Sequence, residues 1–266
     1  MEAHYLLSLF VCAYSAVGHP VSRFSVSSDR LLDLSHSFDE NTVYWPTIPE
    51  NSTFHLKTLH ELINSTDGTA YRDKFFQGSE HGGTHMDAPS HFWKNGSSVE
   101  KISADKLMGP AVVIDVKEKA ATNPVYQVTI QDVVDWEEQH GRIPEGAFVF
   151  MNSGWDTFWP DKQTIFNFDN TSGTETYHFP AFHPNATDFL VYQRSIKGLG
   201  VDTPSTDYGQ AKVLGTHIIL AKNDLVGFEN VRNLGKLTPA GAHVIAIPMK
   251  IVDGSGAPLG LLGVNP

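Results

Sequence analysis

Apolar positions fall into two kinds of run along the chain. The stretches "GPAVVIDV" (109–116) and "AFVFMNSGW" (147–155) are continuously apolar, as in strands covered on both faces. The segment "TIQDVVDWEEQHG" (129–141) changes period: Ile130, Val133 and Val134 make one helical face, Thr129 can cap its start and Gly141 stop it. Further along, "NATDFLVYQRSI" (185–196) reads as a helix, "KGLGVD" (197–202) as a strand and "AKVLGTHIILAKN" (211–223) as a helix. The C-terminal "HVIAIPMKIVDGSGAPLGLLGV" (243–264) gives two strands around an Asp253-Gly254-Ser255-Gly256 turn. Near the other end, "RLLDLSHSF" (30–38) and "AYRDKFFQG" (70–78) read as strands, with a proline-broken aromatic loop "TVYWPTIPENSTF" (42–54) between them. Strands alternating with helices predict an α/β fold. No Pro/Gly/Ser-rich linker or internal repeat divides it, so one domain is expected over 19–266.

The first residues form a separate unit. An apolar run over 5–17 is shorter than the roughly 20 residues a membrane span needs, and small residues Ala16 and Gly18 follow it. It reads as a secretory signal over 1–18, cleaved before His19, although its leading residues carry no Lys or Arg. Sequons at Asn51, Asn64, Asn95, Asn170 and Asn185 agree with a secreted glycoprotein. The single cysteine, Cys12, lies inside the expected signal, which excludes thiol catalysis and disulfides from the remainder. No later segment is long and apolar enough to anchor the chain in a membrane. The formal charge of −11 is dispersed and Lys and Arg are few, which argues against a nucleic-acid partner.

Chemistry concentrates in "EHGGTHMDAPSHF" (80–92), with His81, His85, Asp87 and His91 inside eleven positions. A helix would put His81 and His85 on one face, but Gly82 and Gly83 each cost about 1 kcal/mol in a helix interior, and Pro89 closes the segment. A turn followed by extended chain fits better: His85 and Asp87 then share a face, and the glycines let His81 fold back toward it. Two imidazoles and a carboxylate form a ligand set for zinc, manganese or a similar divalent ion. His91, beyond the proline, is placed to act as a base.

Those residues resemble the H-x-G-T-H-x-D-x-P-x-H signature of the cyclase superfamily, which includes bacterial-type kynurenine formamidases and isatin hydrolases. The resemblance implies that His81, His85 and Asp87 bind metal and that His91 is the general acid/base. It also implies a single domain of swivelling β/α/β type, with a mixed central sheet and flanking helices, assembled as a homodimer or higher homo-oligomer. It extends to "LLDLSHSFDENTVYWP" (31–46), to "NSGWD" (152–156), with Ser153 where the family has threonine, and to "GVDTPSTD" (200–207). In "THIILAKNDLVGFENV" (216–231) it places His217 and Glu229 at further ligand positions. Twelve residues of straight helix would set those two about 18 Å apart, so the role requires a break, for which Asn223, Asp224 and Gly227 are the candidates.

Other readings fail. "HELIN" (60–64) has Asn64 where a zinc-protease helix needs histidine, "GSGAPLG" precedes no helix, and no G-x-S-x-G elbow occurs. His178 and His183 flank Pro180 in a polar loop. Trp45, Phe76 and Trp155 are packing residues by default, or with Ser205 line an aromatic substrate pocket. The expected protein is a secreted, metal-dependent amidohydrolase with one or two Zn²⁺ or Mn²⁺ per chain. Its substrate would be a small cyclic amide or aryl formamide. The alternative is a secreted metal-containing binding protein of the same fold without turnover.

Overall fold

The computed structural model describes residues 26–168 and 176–266; the expected signal and the Asn170 sequon lie outside them. Among the described residues the strands are β1 (Leu31–Asp33), β2 (His55–Ile63), β3 (Ala70–Gln77), β4 (His85–Asp87), β5 (Met108–Asp115), β6 (Gln127–Val128), β7 (Phe148–Asn152), β8 (Ala181–Phe182), β9 (Gly198–Val201), β10 (Val226–Glu229), β11 (Ala242–Pro248) and β12 (Gly256–Val264). The α-helices are α1 (Lys117–Thr122), α2 (Ile130–His140), α3 (Lys162–Phe166), α4 (Pro184–Arg194) and α5 (Gly215–Lys222).

The main sheet is mixed, as expected, but it closes on itself. Its order is β12-β11-β5-β7-β9-β10-β4, and β4 pairs again with β12, so seven strands form a barrel; β1 joins the far end of β12. Strands β5, β7, β9 and β10 run parallel, and the remaining pairings are antiparallel. Side-chain alternation explains why the parallel strands are apolar throughout. Ala111, Val113, Phe148 and Phe150 fill the barrel with Met86, Phe228 and Leu261. Their neighbours Val112, Ile114, Val149 and Met151 join Val133, Trp136, Leu190 and Leu220 of α2, α4 and α5 in a second apolar layer. Gly200 makes room for the first layer, since a Cβ there would meet the Phe150 ring at 2.3 Å. By contrast, β11 alternates buried and exposed positions, as in a strand with one face on the core and the other toward solvent.

Helix α2 keeps its predicted caps: the Thr129 side chain accepts from the Asp132 N–H, Asp132 reaches back to Thr129, and Gly141 ends it. One expected boundary changes. The helix expected over 211–223 starts only at Gly215. The strand at Ala70–Gln77 forms as expected and is one half of a hairpin whose other half, β2, takes in His60–Ile63 of the rejected "HELIN". Among the described residues the hairpin pairs with no other strand, and nearly all of its residues are exposed.

Candidate metal centre

The two glycines of the histidine segment have separate jobs. Gly82 lies under Tyr44, where a Cβ would sit 2.0 Å from the ring, and Gly83 adopts φ 57°, a conformation that favours glycine. The Gly83 carbonyl accepts from His85 Nδ1 at 3.0 Å and from Asn230 Nδ2 at 3.1 Å. Thr84 ties β4 to its surroundings: its hydroxyl donates to the Asn230 carbonyl at 2.7 Å and accepts from the His36 N–H at 2.8 Å. The turn-then-strand conformation expected from the glycines is the one observed.

His217 and Glu229 reach the same place from far along the chain. Helix α5 stops at Lys222, Asp224 turns the backbone at φ 55°, and Glu229 ends β10 directly opposite His85 in the β10–β4 register. The break that shared ligation required is therefore present. Among the described residues, two groups bring donor atoms within 4.8 Å of one another: His81, His85 and Asp87, and Asp87, His217 and Glu229. Asp87 belongs to both.

Hydrogen bonds sort the imidazole nitrogens. His85 Nδ1 donates to Gly83, leaving Nε2 3.4 Å from Asp87 Oδ1 and 3.5 Å from Glu229 Oε2. His217 Nδ1 faces Asp207 Oδ2 at 2.7 Å, leaving Nε2 3.1 Å from both Asp87 Oδ2 and Glu229 Oε1. His81 Nδ1 is 2.8 Å from Asp87 Oδ1. Each ring thus has one nitrogen held by an outer partner and the other turned to the carboxylates, the arrangement expected of metal-ligating histidines.

The charges fit a cation as well. Asp87 Oδ2 is buried without a hydrogen bond, since its 3.1 Å approach to His217 Nε2 lacks hydrogen-bond geometry. Burial opposes the charge on His85, yet Asp87 and Glu229 raise its pKa to about 9. His217 is likewise raised well above the ordinary histidine range, against burial, by Asp207, Asp87 and Glu229. Against burial, the three histidines hold Asp87 well below the carboxylate range. Two buried carboxylates facing imidazoles attract positive charge, which protons supply in the bare protein and a divalent ion would supply in their place.

His91 stands apart from both donor groups. It follows the turn at Pro89, its ring stacks on His81 at 3.9 Å, and burial lowers its pKa to about 4. It is therefore neutral at pH 7 and able to take a proton. Above these residues opens a cavity of about 340 Å³, within the size range of small-molecule sites. Trp45 and Ser205 line it, as expected, together with Tyr44 and Ile48 of the aromatic loop and with Phe92, Phe166 and Leu214, which the sequence did not single out.

Phe76 and Trp155 do not line it. Phe76 is half exposed on the hairpin, stacked on Phe54, because β3 carries it away from the barrel. Trp155 is buried in an aromatic cluster with Ile165 and Phe166, its indole N–H donating to the Ile165 carbonyl at 2.9 Å. Ser153 is also internal: with the Trp155 N–H it donates to the buried Asp202 carboxylate. His178 and His183 bond to local backbone outside the cavity.

A barrel presenting a His/Asp/Glu cluster to an apolar cavity defines a metal-dependent hydrolase. The cyclase family model matches residues 32–208, and the chain belongs to that family. The isatin hydrolase of Roseibium aggregatum is 32% identical over 78% of this chain and 81% of its own length. The kynurenine formamidase of Salinibacter ruber is 27% identical over 86% of this chain and 94% of its own. In structure, an isatin hydrolase bound to the product analogue thioisatinate superposes with a TM-score of 0.79 at 29% identity, covering 89% of this chain and 92% of that one.

Proposed function

We propose that this protein hydrolyses the C–N bond of a small cyclic amide or aryl formamide, of the isatin or N-formylkynurenine type. The observation that carries the reading is the aromatic cavity opening directly onto His81, His85, Asp87 and His91. His81, His85 and Asp87 would hold one divalent ion, and Asp87 with His217 and Glu229 a second. Imidazole-rich donors suit zinc, and carboxylate donors also admit manganese. Such an ion lowers the pKa of water from 15.7 towards about 7 and polarises a carbonyl oxygen.

The protein's own part is positioning and proton transfer. Trp45, Phe92 and Phe166 present flat apolar surfaces to an aryl ring and exclude bulk water from the carbonyl. His91, neutral before reaction, accepts the proton of the attacking water and returns it to the departing nitrogen as the C–N bond breaks. For a cyclic amide this opens the ring; for a formamide it releases formate and the aryl amine. The test is a direct assay of metal-loaded protein with isatin and with N-formylkynurenine. Turnover of either supports the reading, and inactivity on both removes it.

Two further inferences concern setting. We infer secretion: the described sequons at Asn51, Asn64, Asn95 and Asn185 are all exposed, which supports glycosylation. Protein from the medium of eukaryotic cells should begin at or near His19 and shift on glycosidase treatment; an unglycosylated product retaining Met1 ends the inference. We infer also that a second copy covers the β2–β3 hairpin. An isolated two-stranded hairpin is marginally stable in water, and this one exposes Leu62 at 69%, Tyr71 at 57% and Phe75 at 48%. Strand pairing and alternation put those three on one face. Four further large apolar side chains of the hairpin, Leu56, Leu59, Ile63 and Phe76, are also exposed. Light scattering should give a dimer or higher oligomer that Leu62→Asp/Tyr71→Asp dissociates. A monomeric wild type, or an oligomer indifferent to the substitutions, contradicts it.

A further inference from the structure

The Asp253-Gly254-Ser255-Gly256 turn reads in the sequence only as a connection between two C-terminal strands. In the structure it reaches the metal centre from the side opposite the carboxylates. Ser255 Oγ lies 2.9 Å from His81 Nε2, and the Ser255 N–H donates to Glu80 Oε1 at 3.2 Å. The Ser255 hydroxyl also donates to Glu80 Oε1. A hydroxyl has one proton, and Glu80 takes it, so Ser255 Oγ must accept from His81 Nε2–H. His81 Nδ1 is then the nitrogen turned to Asp87 Oδ1, 2.8 Å away, and the one whose proton a metal would replace.

We propose that Glu80 and Ser255 are positioning residues that hold the His81 proton on Nε2 and thereby aim Nδ1 at the metal site. The proposal rests on the metal-centre reading of His81, His85 and Asp87. The surrounding backbone is shaped for the task. A Cβ at Gly256 would stand 2.4 Å from His81 Cε1, so glycine lets the ring lie flat against the start of β12. A Cβ at Gly254 would crowd Glu80 Oε2 at 3.2 Å. The turn itself is held by the Ala88 N–H on the Ser255 carbonyl at 2.8 Å and the Val99 N–H on the Gly254 carbonyl at 3.0 Å. Ser255 is thus fixed by main chain independently of Glu80. The other two histidines have their outer nitrogens held by the Gly83 carbonyl and by Asp207. His81 is the one whose outer partner is a hydroxyl, able to donate or accept, and Glu80 removes that ambiguity.

The test uses the full chain stripped with chelator, titrated calorimetrically with Zn²⁺ and with Mn²⁺, and followed by ¹H–¹⁵N NMR of the imidazoles. In Glu80→Ala the freed Ser255 hydroxyl can donate to His81 Nε2 and drive the ring proton to Nδ1. Metal affinity should fall roughly 10–100-fold, as for other outer partners of ligating histidines, and the His81 nitrogen shifts should report the changed tautomer. Ser255→Ala should weaken binding within the same range. Glu80→Gln retains an acceptor oxygen and should recover much of the affinity, which a purely structural role would not predict. Wild-type affinity and an unchanged tautomer in both alanine variants would overturn the proposal while leaving the metal centre standing. Absence of metal uptake by wild type would remove the metal-centre reading instead, and the tautomer measurement would still decide the role of Glu80.

Discussion

Asp87→Ala is expected to lose metal and hydrolysis together. Its carboxylate is the one group common to both donor sets, and both of its oxygens face imidazoles. Removing it takes the only carboxylate from the first set and leaves His217 and Glu229 in the second. The loss of affinity should exceed the 10–100-fold typical of an outer partner. Glu229→Ala makes a graded contrast, because it dismantles only the second group. If the centre is a pair of the kind that spans two ions, elemental analysis should give about two metals per chain in wild type, about one in Glu229→Ala, and close to none in Asp87→Ala. One metal in both wild type and Glu229→Ala, with undiminished activity, would make Glu229 a structural acceptor for the Thr206 N–H, which it meets at 2.9 Å.

His91→Ala should separate chemistry from binding. The imidazole belongs to neither donor group, stacks on His81 and is held neutral by burial. Without it, metal content should stay at the wild-type value while kcat falls by roughly two to four orders of magnitude, the usual contribution of general acid–base catalysis. KM should move little, since aromatic contacts in the cavity supply the binding. Loss of metal from this variant would instead make His91 a ligand.

Much of this site was readable in the chain because it is local. The spacing of His81, His85 and Asp87, with glycines excluding a helix, prescribes a turn entering a strand, and that is what β4 and its approach form. The second half was not local. His217 and Glu229 join Asp87 because β10 pairs with β4 in one register, and nothing in their own surroundings marks Glu229 as more than a carboxylate ending a strand. Closure of the sheet had the same character, since it depends on His85–Asp87 meeting Gly256–Pro258 across most of the chain. Strand β2 escaped notice because a register shift between Thr58 and His60 interrupts its alternation. Aromatic residues proved ambiguous for a related reason: Trp45 and Trp155 pack on the same aromatic cluster, yet one lines the cavity and the other is buried in that cluster. Ser255 is the extreme case, a turn residue whose partner, His81, lies 174 positions away.

The central claim is that hydrolysis depends on a divalent ion held by this cluster. It is tested most directly by adding metal back to chelator-stripped protein while following hydrolysis of isatin or N-formylkynurenine and the metal bound per chain. No turnover is expected without metal, with recovery in proportion to the Zn²⁺ or Mn²⁺ taken up, reaching its maximum when the cluster is filled. Undiminished turnover by fully stripped protein would contradict it.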